Sequence, residues 1–230
     1  MNYLQLINRA RVECGVSGSN VALPTAQGLT GENARIANWI NSAWIDIQTA
    51  KEDWQWMRDA VQFNTVTQQQ VYTPTQAGVG ATFGNWKRDS FRCSSVGQNY
   101  ADEQLLNYME YTTFRNLYQY GTMRTTYARP VVVSIVPGAD KSLGFGATPD
   151  QPYVITGEYY KRPYDLSADA DEPNVPTRFH LAIVYRAMMF YGGYEAAPEV
   201  YSRGETEFKR LMNRMNIDQL PTIVSGPPLA

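Results

Sequence analysis

The sequence predicts an α+β fold: a helical bundle formed by both chain ends, a mostly β domain inserted into it, and an extended C-terminal tail. Three observations carry this reading. Apolar residues recur at three- and four-residue spacing near both ends of the chain, the repeat of one helix face. Between about residues 60 and 164 the repeat drops to two, in stretches rich in Val, Thr, Phe and Tyr. After Asp218 the chain carries no charge and runs out in "QLPTIVSGPPLA", which has no usable periodicity. The predicted divisions are 1–59 with 165–218 for the bundle, 60–164 for the β insertion and 219–230 for the arm.

Each element has its own signature. Tyr3, Leu6, Ile7, Ala10 and Cys14 predict a helix over 2–14, with Gly15 as its stop. After a Gly-, Ser- and Pro-containing loop, Thr30 offers a cap to a second helix. On that helix Ile36, Ile40, Trp44 and Ile47 form a stripe, and its end is expected near Trp54 to Trp56. "AVQFNTVTQQQVYTPT", "DSFRCSSVG", "RPVVVSIVPG", "KSLGFGATPD" and "YVITGEYYKRP" read as strands. Leu105, Tyr108 and Met109 interrupt them with the spacing of a short helix from Asp102, and a second turn is expected around Thr113 to Tyr118.

Helix resumes after Pro176, with Thr177 as a candidate cap. Phe179, Ile183, Ala187 and Phe190 or Tyr191 make its stripe, and the glycines at 192 and 193 are expected to end it. Pro198 suits the first turn of a last helix, whose buried side holds Tyr201, Phe208, Leu211, Met212 and Met215. Trp44, Ile47, Ile183, Phe208 and Leu211 are expected to share one core, although the β insertion separates them along the chain.

Composition narrows the function. The 230 residues are 43% hydrophobic, enough for a sizeable core. Charged residues make up only 18%, below the usual quarter, and aromatics 13%, with 16 tyrosines. A surface short of charge and rich in Tyr suits either a partner interface or a Tyr-rich β region. A formal net charge of −2 excludes a strongly basic nucleic-acid footprint. Cys14 and Cys93 lie far apart, outside any CxxC or Cys/His cluster, which argues against zinc and for two buried free thiols. No apolar run approaches the ~20 residues of a membrane span. The opening "MNYLQLINRARVECGV" lacks the pattern of a secretory signal, so a soluble protein made in a cytoplasm is expected.

The one dense cluster of acids is "DLSADADEPNVPTRFH", residues 165–180, with Asp165, Asp169, Asp171, Glu172 and the only histidine, His180. A calcium loop of the helix–loop–helix kind needs Gly at its sixth position and Glu at its twelfth. Counting from Asp165 these are Ala170 and Pro176; from Asp169 they are Asn174 and His180. Neither register fits. Pro173 and Pro176 hold the segment extended, which keeps His180 several residues from the acids. No Ser or Cys sits in a nucleophile elbow, and the Gly-rich "GVGATFG" and "GFGATPD" lack the Lys and helix start of a phosphate loop. The segment reads instead as a joint through which the chain leaves the β insertion. Its acids would complement the positive end of the helix after Pro176. No catalytic, cofactor or metal residues are predicted.

Residues 158–201, "EYYKRPYDLSADADEPNVPTRFHLAIVYRAMMFYGGYEAAPEVY", resemble the C-terminal block of tailed-bacteriophage head-to-tail adaptor proteins of the tail tubular protein A kind. The shared pattern is a last strand ending in a "YY-R-P"-like turn, an acidic "D-DEP--P" loop, a helix near "FH-AIVYRA" and an "-AP--Y" helix. "WINSAWIDIQTAKEDWQWM" at 39–57 is similar to the family's second helix. The likeness covers both chain ends well and the β middle poorly. It implies a structural virion protein, not an enzyme, without cofactors. It also implies a ring, usually dodecameric, at the head–tail interface, assembled in the host cytoplasm. Its partners would be further copies of itself, the portal protein, a tail or nozzle protein, and DNA passing through without sequence-specific binding. In several relatives the C-terminal segment docks on portal or neighbouring subunits. Ile223, Val224 and Leu229 are the candidate anchors here. Two alternatives remain: a tail-tube or other ring component, and a carbohydrate- or small-ligand-binding module using Trp86, Tyr100 and Tyr127.

Overall fold

A computed structural model describes residues 1–98 and 100–220, apart from the side chain of Tyr100. The chain divides into two compact units, 1–57 with 163–230, and 58–162. Among the described residues, four α-helices build the first unit: α1 (Tyr3–Glu13), α2 (Gly31–Thr49), α4 (His180–Tyr194) and α5 (Pro198–Gln219). The second unit, among the described residues, holds nine strands and the one-turn helix α3 (Tyr111–Phe114). The class is α+β, with both chain ends in the helical part.

The ends of α1 and α2 arise from local chemistry. Asn2 caps α1: its side chain accepts from the Gln5 backbone N–H at 2.9 Å, while the Gln5 side chain accepts from the Asn2 N–H at 3.1 Å. Gly15 comes after α1 at φ 70°. Thr30 stands at the N-cap position of α2, but its hydroxyl makes no capping bond. α2 ends at Thr49, short of the expected Trp54. The indole N–H of Trp54 donates to the Ile47 carbonyl at 2.9 Å. Satisfying that end carbonyl from a later residue requires the chain to leave the helix and turn back over it. Trp54, Trp56 and Trp44 then stack at centroid distances of 6.0 and 5.2 Å.

α4 packs against α1, α2 and α5. The glycines expected to end it do not. Gly192 and Gly193 stay helical, and a Cβ on Gly192 would lie 2.7 Å from the Tyr201 nitrogen. Gly204 on α5 answers it, since a Cβ there would lie 2.9 Å from the Tyr185 carbonyl oxygen. Both glycines serve close approach of α4 and α5, and the reversal falls at Glu195–Ala197, where Ala196 takes φ 52°.

Trp44, Ile47, Ile183 and Leu211 lie in one buried cluster. Phe208 packs on its rim and stays partly exposed, with the Arg186 guanidinium 5.7 Å from its ring. The helix face turns it toward the margin rather than the centre.

The second unit is two sheets around one core. In the first, β9 (Tyr153–Lys161) is flanked on one edge by β1 (Arg58–Asn64). Its other edge is shared by β4 (Arg92–Ser95) and β3 (Phe83–Trp86), with β5 (Gln104–Leu105) outside β4. The second sheet runs β2 (Val71–Tyr72), β8 (Leu143–Gly146), β7 (Val132–Ile135), β6 (Asn107–Tyr108), with β6 parallel to β7. Phe63, Cys93, Ile155 and Tyr159 from the first sheet meet Tyr72, Val133, Leu143 and Phe145 from the second. The insertion starts on β1 and ends on β9, which are antiparallel neighbours with Arg58 opposite Tyr160.

The helix expected from Asp102 is absent. Gln104–Leu105 and Asn107–Tyr108 are strand pieces, because the intervening Leu106 is buried and its N–H donates to the Phe91 carbonyl at 2.9 Å. Pairing to a distant strand outweighs the local helical spacing. Nearby, Arg129 donates to the Asp102 carboxylate at 2.8 Å and to the Cys93 carbonyl at 2.7 Å. The Ser95 N–H and the Arg129 guanidinium hold the Asp102 carboxyl down to about 2.

Truncating the core and rim residues of α5 should separate their roles. Leu211→Ala is expected to cost about 2–5 kcal/mol. Phe208→Ala, at a half-buried rim position, is expected to cost about 1–2 kcal/mol. Urea unfolding of the two variants measures both, and equal losses would put Phe208 in the core.

Candidate functional site: the acidic joint and the open surfaces

The acidic segment after β9 is a hydrogen-bonded joint. Two amide side chains of α2, seven residues apart, clamp its first part. Gln48 both donates to the Tyr164 carbonyl (3.0 Å) and accepts from the Tyr164 N–H (3.1 Å). Asn41 does the same for Leu166, at 3.0 Å each way. Seven helix residues rise about 10 Å and two extended residues about 7 Å, so the two amide side chains converge on alternate backbone units of the segment. Gln48 is buried at 2% exposure, and pairing both ends of its amide removes the desolvation cost.

The acids continue this work. Asp171 accepts from the Ser167 N–H (2.7 Å), the Ala168 N–H (2.8 Å) and the Ser167 hydroxyl (3.2 Å). The two N–H groups are the main reason that its pKa lies below the ordinary carboxylate value. Asp169 accepts from the Ala26 N–H at 2.7 Å. The backbone carbonyls of Asp171 and Asp169 accept from the N–H groups of Tyr3 (2.8 Å) and Leu4 (3.3 Å). The joint therefore closes the N-terminus of α1, whereas the sequence pointed to the helix after Pro176. Thr177 is not at a cap position: Pro176 is, and Thr177 opens a 3₁₀ turn, Thr177–Phe179, that leads into α4. Among the described residues no group of three or more His, Cys, Asp or Glu side chains could hold a metal ion.

His180 is buried at 2% exposure, and both ring nitrogens are engaged. Nε2 lies 2.9 Å from the Val175 carbonyl and Nδ1 2.6 Å from the Met1 nitrogen. A neutral ring that donates from Nε2 and accepts at Nδ1 satisfies both contacts. Burial pushes the His180 pKa down, against the pull of the Val175 carbonyl. Cys14 and Cys93 are both buried free thiols. Burial first, and then the Glu13 and Glu32 carboxylates, push Cys14 up to about 12, so it is protonated and unreactive at neutral pH.

Of the aromatic residues singled out for a ligand-binding face, Trp86 is 2% exposed and donates its indole N–H to the Lys141 carbonyl at 2.6 Å. It belongs to the sheet core and offers no face to a sugar. Tyr127 is open, beside Gln68, Gln70, Tyr118 and Arg124. The side chain of Tyr100 lies outside the described residues, as do Ile223, Val224 and Leu229. The expected arm also starts later than residue 219, because α5 runs through Gln219 and Leu220 packs against the bundle core.

Sequence reading missed three things here. Asn41 and Gln48 passed as polar residues beside an apolar stripe; their seven-residue spacing was the available signal. The open apolar side chains Leu117, Tyr120 and Met123 between α3 and β7 also passed unnoticed. So did Ile217, 86% exposed near the end of α5. It falls outside the apolar stripe of that helix.

Two measurements test the joint. Calcium titration should leave the melting temperature of both the wild type and an Asp169→Asn/Asp171→Asn variant unchanged; a calcium-dependent rise that the variant loses would mean a metal site. His180 gives a pH signature. Its folded pKa is lowered, so its contribution is complete above the unfolded value of about 6.5 and is lost as pH falls below it, when the unfolded chain takes up the proton first. Melting temperature should therefore fall between about pH 7 and 5, and His180→Gln should flatten that slope. An unchanged slope would show that His180 titrates normally.

A family model described as the SU10 adaptor protein matches residues 1–226. The match spans both helical segments, the β unit and most of the final segment. No curated protein sequence matches the chain. The chain belongs to the SU10 adaptor protein family: it is a phage head-to-tail adaptor, a structural protein of the virion and not an enzyme.

Proposed function

We propose that copies of the chain form a ring between the portal and the tail and attach the tail to the DNA-filled capsid. The match to the adaptor family over residues 1–226 carries this reading. Its partners are other copies of the chain, the portal protein and a tail or nozzle protein, with DNA passing through the channel without sequence readout. Twelve copies is the stoichiometry that the resemblance to tail tubular protein A-like adaptors implies.

The surface supports a partner-covered role. Leu117 and Val131 are each 50% exposed, and Tyr120 is 56% exposed. These side chains stand on or beside a stretch, 111–139, that contains three arginines and no acid. Large apolar and aromatic side chains flanked by Arg are the composition of protein interfaces. No helix among the described residues is long and apolar enough to cross a membrane. The final segment, residues 221–230, is the proposed docking arm, with Ile223, Val224 and Leu229 as anchors.

Electron microscopy of the protein mixed with its own portal tests the ring. A closed ring of adaptor density on one face of the portal is expected; bare portals at saturating protein would end the proposal. Removal of residues 221–230 should weaken co-sedimentation with assembled portal by about ten-fold or more, the loss of at least ~1.4 kcal/mol of binding. Equal binding of both forms would take the arm out of docking.

A further inference from the structure

Two surfaces of the chain complement each other in charge, and both are rich in open apolar side chains. The first is the stretch between α3 and β7, on the turns Arg115–Gln119 and Gly121–Thr125. Leu117, Tyr120, Met123 and Tyr127 are exposed along it, and no acid occurs between residues 111 and 139. Of its three arginines, Arg129 already pairs with Asp102. Arg115 and Arg124 form no ion pair with any described residue. The Nε of Arg115 is shut off from solvent without a hydrogen-bond partner, and its guanidinium lies 5.7 Å from the Tyr120 ring. This surface carries two uncompensated positive charges among apolar side chains.

The second surface is the reversal between α4 and α5. Tyr194 is 59% exposed at its start and Tyr201 40% exposed just after it. Residues 187–202 contain Glu195, Glu199 and no base. Neither glutamate forms an ion pair with any described residue. Glu199 also lines an open groove of about 530 Å³ along the start of α5, together with Pro198, Ser202 and Thr206. The other charged walls of that groove are already paired, Arg203 with Glu13 and Glu207 with Arg210. The other exposed apolar side chains of the helical unit lack this complement. Val12 stands beside Glu13, which pairs with Arg9 and Arg203. Val21 lies in a stretch without charge, and Ile217 shares its groove with Arg214, which repels arginines.

We propose that the arginine surface of one copy seats the α4–α5 reversal of the next, with Arg115 and Arg124 facing Glu195 and Glu199, and with Tyr120 and Met123 against Tyr194, Tyr201 and the groove. A second copy is the favoured occupant because every chain brings both halves in equal number. Apolar contact supplies attraction, and the opposed charges fix the register and disfavour wrong pairings. The two halves are different surfaces, so the contact is heterologous. Each copy gives its arginine surface to one neighbour and its glutamate turn to the other. Such contacts close into rings or run on as filaments, whereas a patch that pairs with itself stops at two copies. The inference rests on the ring reading above and names the faces that make the ring.

The test uses the full chain with Met123→Cys and Ser202→Cys, mixed with assembled portal and treated with a short bis-maleimide. Both positions are exposed, and both native thiols are buried. A covalent ladder that runs beyond the dimer, and that neither single-cysteine chain gives, is expected. Electron microscopy of the same samples records whether a ring is present. A ring without the ladder would overturn the pairing and leave the ring reading standing; bare portals would end both. Dimers from a single-cysteine chain would overturn it differently, by showing that like surfaces meet. A charge swap gives a second measurement. Arg115→Glu with Arg124→Glu, or Glu195→Arg with Glu199→Arg, should raise the protein concentration needed for ring closure by about ten-fold or more, and all four changes together should restore it. No recovery in a four-fold variant that melts like the wild type would also overturn the pairing.

Discussion

Helix α4 is apolar on almost every side, and that single property organises the molecule. His180, Ala182, Ile183, Val184, Ala187, Met188 and Met189 are all buried along it. A helix with no polar face must be enclosed. Here α1, α2 and α5 enclose it, which brings residues from both ends of the chain into one cluster. Burial of each large side chain contributes about 1.5–3 kcal/mol relative to exposure, so the chain ends are drawn together although more than a hundred residues separate α2 from α4. Everything between must leave and return. The β unit does so on neighbouring antiparallel strands, β1 and β9, and builds its own core.

Closing the bundle this way creates a polar problem, and the acidic joint is its solution. The segment after β9 re-enters the bundle with its first backbone groups, those of Tyr164 and Leu166, turned to α2 and its later ones paired within the segment. Asn41 and Gln48 pair with Leu166 and Tyr164 as a neighbouring strand would. Asp169 and Asp171 tie the rest of the segment to itself, to Ala26 and to the start of α1. These two carboxylates, which attract attention as part of a metal or catalytic cluster, are each engaged by backbone donors. Hydrogen-bonded in this way they specify where α1, α2 and the entry to α4 meet, which is a structural task in a structural protein.

An adaptor works through surfaces, and the two parts of the chain offer different ones. The stretch between α3 and β7 presents Leu117, Tyr120, Met123 and Tyr127 to solvent beside Arg124, on a π-helical turn, a 3₁₀ turn and the bridge of Tyr127 to Thr148. The end of α5 presents Ile217 and an apolar groove beside the point where the chain leaves the helix. In both places large apolar side chains stand where a monomer would place polar ones. Packing within the described residues does not account for their exposure.

The order of the four long helices around a β insertion, the class and the family were legible in the sequence. Periodicity is a local property, and the three- and four-residue repeat of Leu6, Ile7 and Ala10, or of Ile36, Ile40 and Ile47, reports the buried face of a helix whatever it packs on. The alternation around Ile155 reports a strand in the same way. Only the tertiary structure decided the rest, because the deciding partner was distant in each case. Gly192 reads as a helix stop and is instead the contact point for Tyr201. Leu105 and Tyr108 carry helical spacing, yet Leu106 is buried and its backbone is claimed by Phe91. Asn41 and Gln48 look like surface amides until the chain returns, more than a hundred residues later, to pair with them. Phe208 has the right period for the core and sits at its edge, since a repeat identifies a face but not how wide a stripe of it the neighbouring helices cover.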